Sequence, residues 1–333
     1  MNNLVIIFAL ILANILIINI VLKSAHIINL YDIPDFSRKI HKKKIPLVGG
    51  ILFFSNILLY LIYYLAFNDG ELFFVSKKEL LAFYLGSVLI FFIGFYDDKY
   101  NLKANTKLIS LSIISLLIIS VGDKFILNKI NFYFYDNTIN LNEFSKLFTI
   151  FCFIVFLNAF NMIDGINGLS STYFIISIVY LIVVTGNNLF YLFLLIPSIF
   201  FLYNNFKNKI FLGDNGSLLL AFILSCLFIK THNESLIKAD QIVLIMLLPG
   251  LDMTRVAITR LIKKKHPFNP DNTHLHHILL KKYNFKIAYF GICFFCILPL
   301  IVSIILATKY IHLILIFLIT LIYLAFTLNF KSN

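Results

Sequence analysis

The sequence predicts an all-α polytopic integral membrane protein. It is one transmembrane domain over residues 1–333, with about eleven helices crossing the bilayer and the chemistry gathered on the loops of one face. Three observations lead there. The chain is 60% hydrophobic and only 13% charged, against about 25% charged in a soluble domain. Apolar runs of about 18–22 residues, the span of a membrane helix, recur along the whole length. The ionisable residues are also sorted by side. Eight aspartates fall at the ends of apolar runs on one face, with most of the Lys and Arg, while every glutamate falls on the other.

The runs lie at about 3–22, 47–67, 79–96, 107–121, 146–163, 168–185, 188–203, 216–230, 241–260, 287–307 and 310–328. The first has no basic leading region and no convincing small-residue cleavage site, so it is expected to be a retained helix rather than a signal peptide. The stretch at about 122–145, rich in Asn, Tyr and Phe, has no metal or catalytic pattern and is expected to form an irregular cap. Pro249-Gly250 should break or kink the ninth run, because proline lacks the N–H that a helix interior requires. Cys152, Cys226, Cys293 and Cys296 all lie within runs, which makes them packing residues without a disulfide framework.

Orientation follows from Lys and Arg, which concentrate in cytoplasmic loops. Of the 28 basic residues, all but Lys77, Lys78, Lys124, Lys129, Lys146, Lys230, Lys238 and Lys309 fall on one side. That side is assigned to the cytoplasm, which with an odd helix count puts the N-terminus outside and the C-terminus inside. The net charge of +12 is this topology signal, with an added attraction to anionic membrane lipids. Nucleic-acid binding is excluded as a partner class, because the basic residues sit in short loops between spans.

Ionisable groups beside hydrocarbon are costly and point to function. Five loops carry them, at about 32–50, 97–106, 158–169, 211–217 and 249–277. The first holds Asp32, Pro34, Asp35, Arg38, Lys39, His41, Lys42 to Lys44, Pro46 and Gly49-Gly50, and its cations suit an anionic head group at the membrane surface. The second opens on Asp97-Asp98. Adjacent carboxylates can hold a divalent cation or divide the work of base and ligand. In the third, Asn158, Asn161 and Asp164 recur every three residues, which sets them along one stripe of a helix. Gly165 and Gly168 then let the backbone turn and approach a ligand. Asp164 is the foremost metal candidate. The fourth, Gly213-Asp214-Asn215-Gly216, opens a new span, where backbone N–H groups can meet phosphate. In the fifth, Asp252 and Arg255 share a helical face, and His274, His276 and His277 form an imidazole cluster able to bind phosphate or metal. Aspartate-rich oxygen sites favour Mg²⁺ over zinc. The three arginines, Arg38, Arg255 and Arg260, all fall in these loops, and arginine grips phosphate in a bidentate way that lysine does not.

Taken together, the five loops resemble the polyprenyl-phosphate N-acetylhexosamine-1-phosphate transferase family over residues of about 32–277, in the right order. The resemblance rests on Pro34/Arg38/His41/Pro46/Gly49-Gly50, on Asp97-Asp98, on the Asn-rich Asp164-Gly165 motif, on Gly213-Asp214, and on Pro267-Phe268-Asn269-Pro270-Asp271 followed by His274-Leu275-His276-His277. That ending looks like the UDP-N-acetylhexosamine branch rather than the muramyl-pentapeptide branch. The family motif often has Asp where this chain has Asn167, which leaves position 167 to substrate rather than metal.

The resemblance implies an enzyme of a bacterial cytoplasmic membrane that moves an N-acetylhexosamine 1-phosphate from a UDP-sugar to undecaprenyl phosphate and releases UMP. It implies Mg²⁺, replaceable by Mn²⁺, held by Asp164, Asp98 and Asp214. Asp97, Asp98 and Asp164 are the implied catalytic residues. Arg38, Lys39, His41, Asn158, Asn161, Asn167, Asp214, Arg255, His274, His276 and His277 are the implied substrate contacts, with a homodimer among the options. Three other readings are weighed against it, one of them a catalytically silent scaffold for a glycan assembly complex, against which the presence of nearly every motif acid argues. A muramyl-pentapeptide donor is the alternative within the class. An ion-coupled transporter would place its acids near mid-span and show inverted repeats, neither of which is visible here.

Overall fold

The computed structural model describes residues 3–34, 43–67, 73–74, 76–186, 188–265, 273–306 and 308–329. Along the chain come α1 (Asn3–Ile28), α2 (Gly49–Phe67), α3 (Lys77–Tyr100), α4 (Ala104–Val121), α5 (Ser145–Ile163), α6 (Leu169–Thr185), α7 (Leu189–Phe206), α8 (Gly213–Asn233), α9 (Ala239–Ile262), α10 (Leu275–Lys282), α11 (Phe285–Leu306) and α12 (Ile311–Asn329). Two minimal antiparallel pairs join them: β1 (Tyr31–Asp32) with β2 (Ile45–Pro46), and β3 (Lys129–Ile130) with β4 (Ile139–Asn140).

Among the described residues, nine helices are long and apolar enough to cross a membrane, and α6 and α12 are shorter apolar helices. Every predicted apolar run is therefore a helix, and the all-α polytopic reading holds. The added element is α10, eight residues with Leu275 and His276 buried. It is too short to cross a bilayer and too mixed in composition to register as an apolar run.

The helices outlast their apolar runs. α3 continues to Tyr100, α7 to Phe206 and α9 to Ile262. Hydropathy falls where side chains turn polar, but backbone hydrogen bonding continues into the wet interface. Asp97 and Asp98 consequently sit on the last turns of α3 rather than in a loop. Of the break or kink expected at Pro249-Gly250, no break occurs, and α9 runs as one helix through both. Proline at 249 removes the donor for the carbonyl of Ile245, four residues back. Tyr173 on α6 donates its hydroxyl to that same carbonyl at 2.6 Å, so the group is satisfied from a neighbouring helix.

The centre of the bundle is α8, with 94% of its apolar window buried against 56% or less for the other spanning candidates. It packs against α2, α3 and α5. Phe222 lies between Phe83 and Phe153, each ring centroid 6.0 Å away. In the lipid-depth core, Asn14 of α1 and Asn56 of α2 exchange reciprocal amide bonds of 2.9 Å, as buried polar side chains must where no water reaches. The segment between α4 and α5, expected to be irregular, is an ordered cap. It contains two 3₁₀ turns and the β3–β4 hairpin. The Asn233 side-chain amide donates to the carbonyls of Lys124 and Ile126, and the Tyr133 N–H donates to Asp240.

One glycine fixes how closely α3 approaches the start of α8. A Cβ at Gly94 would lie 2.5 Å from the Asp214 carbonyl oxygen and 2.5 Å from Asn215 Cα, both backbone atoms that cannot turn aside. Gly94→Ala is expected to cost about 1–3 kcal/mol of stability, as overpacking does, read as a lower thermal unfolding midpoint in detergent. An unchanged midpoint would mean that α3 can slide away freely.

Candidate active site

The ends of α3, α4, α5 and α8 that carry the motifs meet at one end of the bundle. Consecutive residues on a helix point about 100° apart, so Asp97 and Asp98 diverge. Asp98 faces α8. Its Oδ1 accepts the Asp214 N–H at 2.7 Å, and its Oδ2 accepts the Asn215 N–H at 2.9 Å together with the Asn215 side-chain amide. A carboxylate there satisfies N–H groups that the first turn leaves without helical partners and complements the helix dipole. The backbone donors expected to be offered to phosphate are thus taken by Asp98.

Asp97 faces α4. Its Oδ1 accepts the Leu102 N–H at 2.7 Å, which secures the tight α3–α4 connection. Its Oδ2 lies 2.7 Å from Lys107 Nζ. The same ammonium is 2.9 Å from Asp214 Oδ2. Asp214 Oδ1 in turn accepts the Asn161 amide at 2.6 Å, and that amide also donates to Ser217 Oγ at 2.7 Å. One lysine thus bridges two carboxylates from two helices, with an asparagine from a third behind them.

Asp164 follows α5 and takes the Ser170 hydroxyl at 2.5 Å. Burial pushes its carboxyl up, to about 7, and the negative charge of Asp214 pushes the same way. Two of the expected site asparagines point elsewhere. Asn158 donates back to the Ile154 carbonyl of its own helix at 2.7 Å. Asn167 donates to the Asn205 carbonyl at 3.2 Å and to Asn208 Oδ1 at 2.7 Å, which pins the α5–α6 turn to the end of α7.

A second cluster is built from α9, α10 and α12. Asp252 Oδ2 accepts from His274 Nδ1 at 2.8 Å, and its Oδ1 accepts from Arg255 Nη2 at 2.7 Å and from the Leu275 N–H at 3.0 Å. Because a carboxylate only accepts, the His274 proton is fixed on Nδ1. His276 stacks on His274, centroids 5.7 Å apart, and lies 4.3 Å from the His277 ring. Burial lowers His276 to about 3, helped by the neighbouring imidazoles, so it is neutral at working pH. The two clusters meet at Gly165, where a Cβ would fall 1.9 Å from His276 Nε2.

Arg38, Lys39 and His41, and the Pro267-to-Asp271 stretch, lie outside the described residues. Sequence reasoning passed over Lys107, Ser170, Ser217 and Tyr323 as site residues, and used Asp252 only as a neighbour of Arg255. Lys107 had a signal that was read as topology alone: a cation at the foot of an apolar helix, ten residues after Asp97.

The donor set suits Mg²⁺. Asp97, Asp164 and Asp214 with Asn161 and Ser217 offer only hard oxygens, and the oxygens of Asp97 and Asp214 already converge on one cation, Lys107. Among the described residues no three of His, Cys, Asp and Glu form a ready cage. Mg²⁺ does not require one, since it binds through one or two carboxylates, with water and substrate phosphate completing its shell. Asp98 could join only through oxygens that α8 already engages.

Comparison with known proteins places the chain. The family model described as Glycosyl transferase family 4 matches residues 80–232. The chain is 30% identical over 275 residues to an undecaprenyl-phosphate alpha-N-acetylglucosaminyl 1-phosphate transferase of Salmonella typhi, covering 78% of this chain and 71% of that protein. It is 28% identical over 290 residues to a probable undecaprenyl-phosphate N-acetylglucosaminyl 1-phosphate transferase of Bacillus subtilis, with 84% and 78% covered. A polytopic bundle with this sequence kinship is a membrane-embedded transferase. The chain belongs to glycosyl transferase family 4, the polyprenyl-phosphate N-acetylhexosamine-1-phosphate transferases that its ordered motifs resemble.

Proposed function

We propose that this protein transfers N-acetylhexosamine 1-phosphate from a UDP-sugar to undecaprenyl phosphate and releases UMP. The observation that carries the reading is the Asp97–Lys107–Asp214–Asn161 assembly at one end of a membrane bundle. The relatives named above, with undecaprenyl phosphate and N-acetylglucosamine 1-phosphate in their names, support the substrate classes. The site end is assigned to the cytoplasm by the basic loops, which puts the N-terminus outside and the C-terminus inside.

An oxygen of the lipid phosphate attacks the β-phosphorus of the donor. The bond from that phosphorus to UMP breaks, and the sugar C1–O bond is untouched. Such transfer is mostly positioning and charge neutralisation. Mg²⁺, held by Asp214 and Asp164 with Asp97 and Asn161 beside them, would neutralise charge on the diphosphate and the departing UMP. Lys107 lies where it can pass from the carboxylates to a phosphate oxygen. Asp97 takes any proton remaining on the lipid phosphate, a group already half ionised near pH 6. His274, its Nδ1–H held by Asp252, would donate Nε2–H to a donor phosphate as the imidazolium, with Arg255 behind it.

The test is UMP release by the purified full chain in detergent, with undecaprenyl phosphate, Mg²⁺ and a panel of UDP-N-acetyl sugars. Lipid-dependent release with at least one sugar is expected. Chelation should abolish it and added Mg²⁺ or Mn²⁺ should restore it. Asp97→Asn and Asp164→Asn should each lower the rate by about a hundredfold or more. Folded protein that releases no UMP with any of these donors would overturn the proposal, and release only from a UDP-muramyl-pentapeptide would move it to that donor.

A further inference from the structure

The histidine end of the site depends on a residue that lies beyond both the 80–232 family match and the motif loops. Tyr323, on the last helix, is buried at 4% exposure. Its oxygen accepts from Arg255 Nε at 2.6 Å, and its O–H donates to Asp252 Oδ1 at 2.9 Å. Arg255 Nη2 donates to the same Asp252 oxygen and, at 2.6 Å, to the Thr273 carbonyl. Asp252 holds His274 Nδ1 and the Leu275 N–H. The phenol therefore closes a ring with Asp252 and Arg255, and that ring grips the chain at residues 273, 274 and 275.

We propose that Tyr323 is a positioning residue of the transferase, setting the direction in which His274 presents Nε2 to the donor diphosphate. The inference rests on the function proposed above. Three features support it. Each of these bonds that leaves the ring ends on His274 or on a residue adjoining it, so loosening the ring is felt there first. The remaining surface of the Tyr323 ring lines an apolar cavity of about 100 Å³ with Leu248, Leu279, Ile292, Phe295 and Phe326. That cavity offers no polar group to replace a lost hydroxyl. The same geometry changes what Arg255 does. Its Nε and Nη2 hold Tyr323, Asp252 and Thr273, so it acts chiefly as a brace for the histidines. Lysine could not reproduce such a planar, multiply bonded brace.

Tyr323→Phe keeps the ring and removes only the oxygen. In the full chain in detergent, KM for the UDP-sugar should rise about tenfold while kcat changes less than about twofold, the pattern of a lost binding contribution. KM for undecaprenyl phosphate should not move. UDP alone, titrated calorimetrically without turnover, should bind about tenfold more weakly. Donor KM and UDP affinity both unchanged would overturn the proposal. So would a parallel rise in both substrates' KM with a lowered unfolding midpoint, the result of general loosening. Failure of the wild-type chain to bind UDP would also overturn it. Wild-type protein that binds UDP with a Tyr323-dependent affinity, yet transfers no sugar phosphate, would sink the functional reading and leave the UDP-positioning role standing.

Discussion

Asp214→Asn is expected to lower kcat/KM for UMP release by about a thousandfold or more, the scale of losing a preorganised charge partner at a reacting phosphoryl group, while the protein stays folded. Asp214 is the carboxylate that touches most of the assembly: Lys107 through Oδ2, Asn161 through Oδ1. Asparagine keeps the size and one acceptor but not the charge, so the Mg²⁺ of the proposed function would lose a ligand and Lys107 keeps only Asp97. The fold should tolerate the change because α8 is capped by something else. Asp98 receives the backbone N–H groups of residues 214 and 215 whatever side chain stands at 214. Asp98→Asn offers the contrast, since it removes the cap charge and should lower the unfolding midpoint as well as the rate. Steady-state UMP release beside thermal unfolding separates the two. If Asp214→Asn retained activity within about tenfold, Asp214 would leave the phosphate-handling machinery.

The membrane bundle was largely legible because hydrocarbon allows few solutions. A spanning helix must be long, apolar and internally hydrogen-bonded, so each of the eleven runs announced itself. What failed was local. Composition marks where apolar side chains stop, which is not where the backbone stops being helical, so the ends of α3, α7 and α9 were placed short. Pro249 was read from its own missing N–H. The Tyr173 hydroxyl that compensates for it lies 76 residues earlier in the chain, and no local pattern announces that pairing.

The site was legible as an inventory and less so as an arrangement. Motif spacing singled out Asp97, Asp98, Asp164 and Asp214, and the structure gathers them at one end of the bundle. It could not tell that Asp97 turns to Lys107 while Asp98 turns to the start of α8, because that depends on which neighbours fill each side of α3. The stripe of Asn158, Asn161 and Asp164 was a sound helical inference, yet only Asn161 reaches Asp214, since three-residue spacing drifts around the helix and leaves Asn158 facing its own backbone. Tyr323 carried no signal, as one more tyrosine in an apolar run. Only packing of α12 against α9 makes it part of the histidine cluster.

At the opposite end of α8, Lys230→Met is expected to cost about 3–5 kcal/mol of stability, the scale of breaking a buried ion pair by removing one partner. Lys230 Nζ lies 2.6 Å from Glu79 Oε1, with side-chain exposures of 4% and 0%. The pair ties the last turn of α8 to the first turn of α3. Both charges also suit their own helices, the cation near a C-terminus and the carboxylate near an N-terminus. Lys230 has a second carboxylate, Glu234, at 3.0 Å, so Glu79→Leu leaves the ammonium one charge partner. Replacing both with Met and Leu should recover much of the loss, because removing both buried charges also removes their desolvation penalty. Unfolding free energies of the two single variants and the double variant in detergent decide the matter. Strict additivity would show that the pair is not coupled. UMP release per folded molecule should be nearly unchanged in all three, because the pair is separated from Asp214 by 16 residues of α8, roughly 24 Å at 1.5 Å per residue.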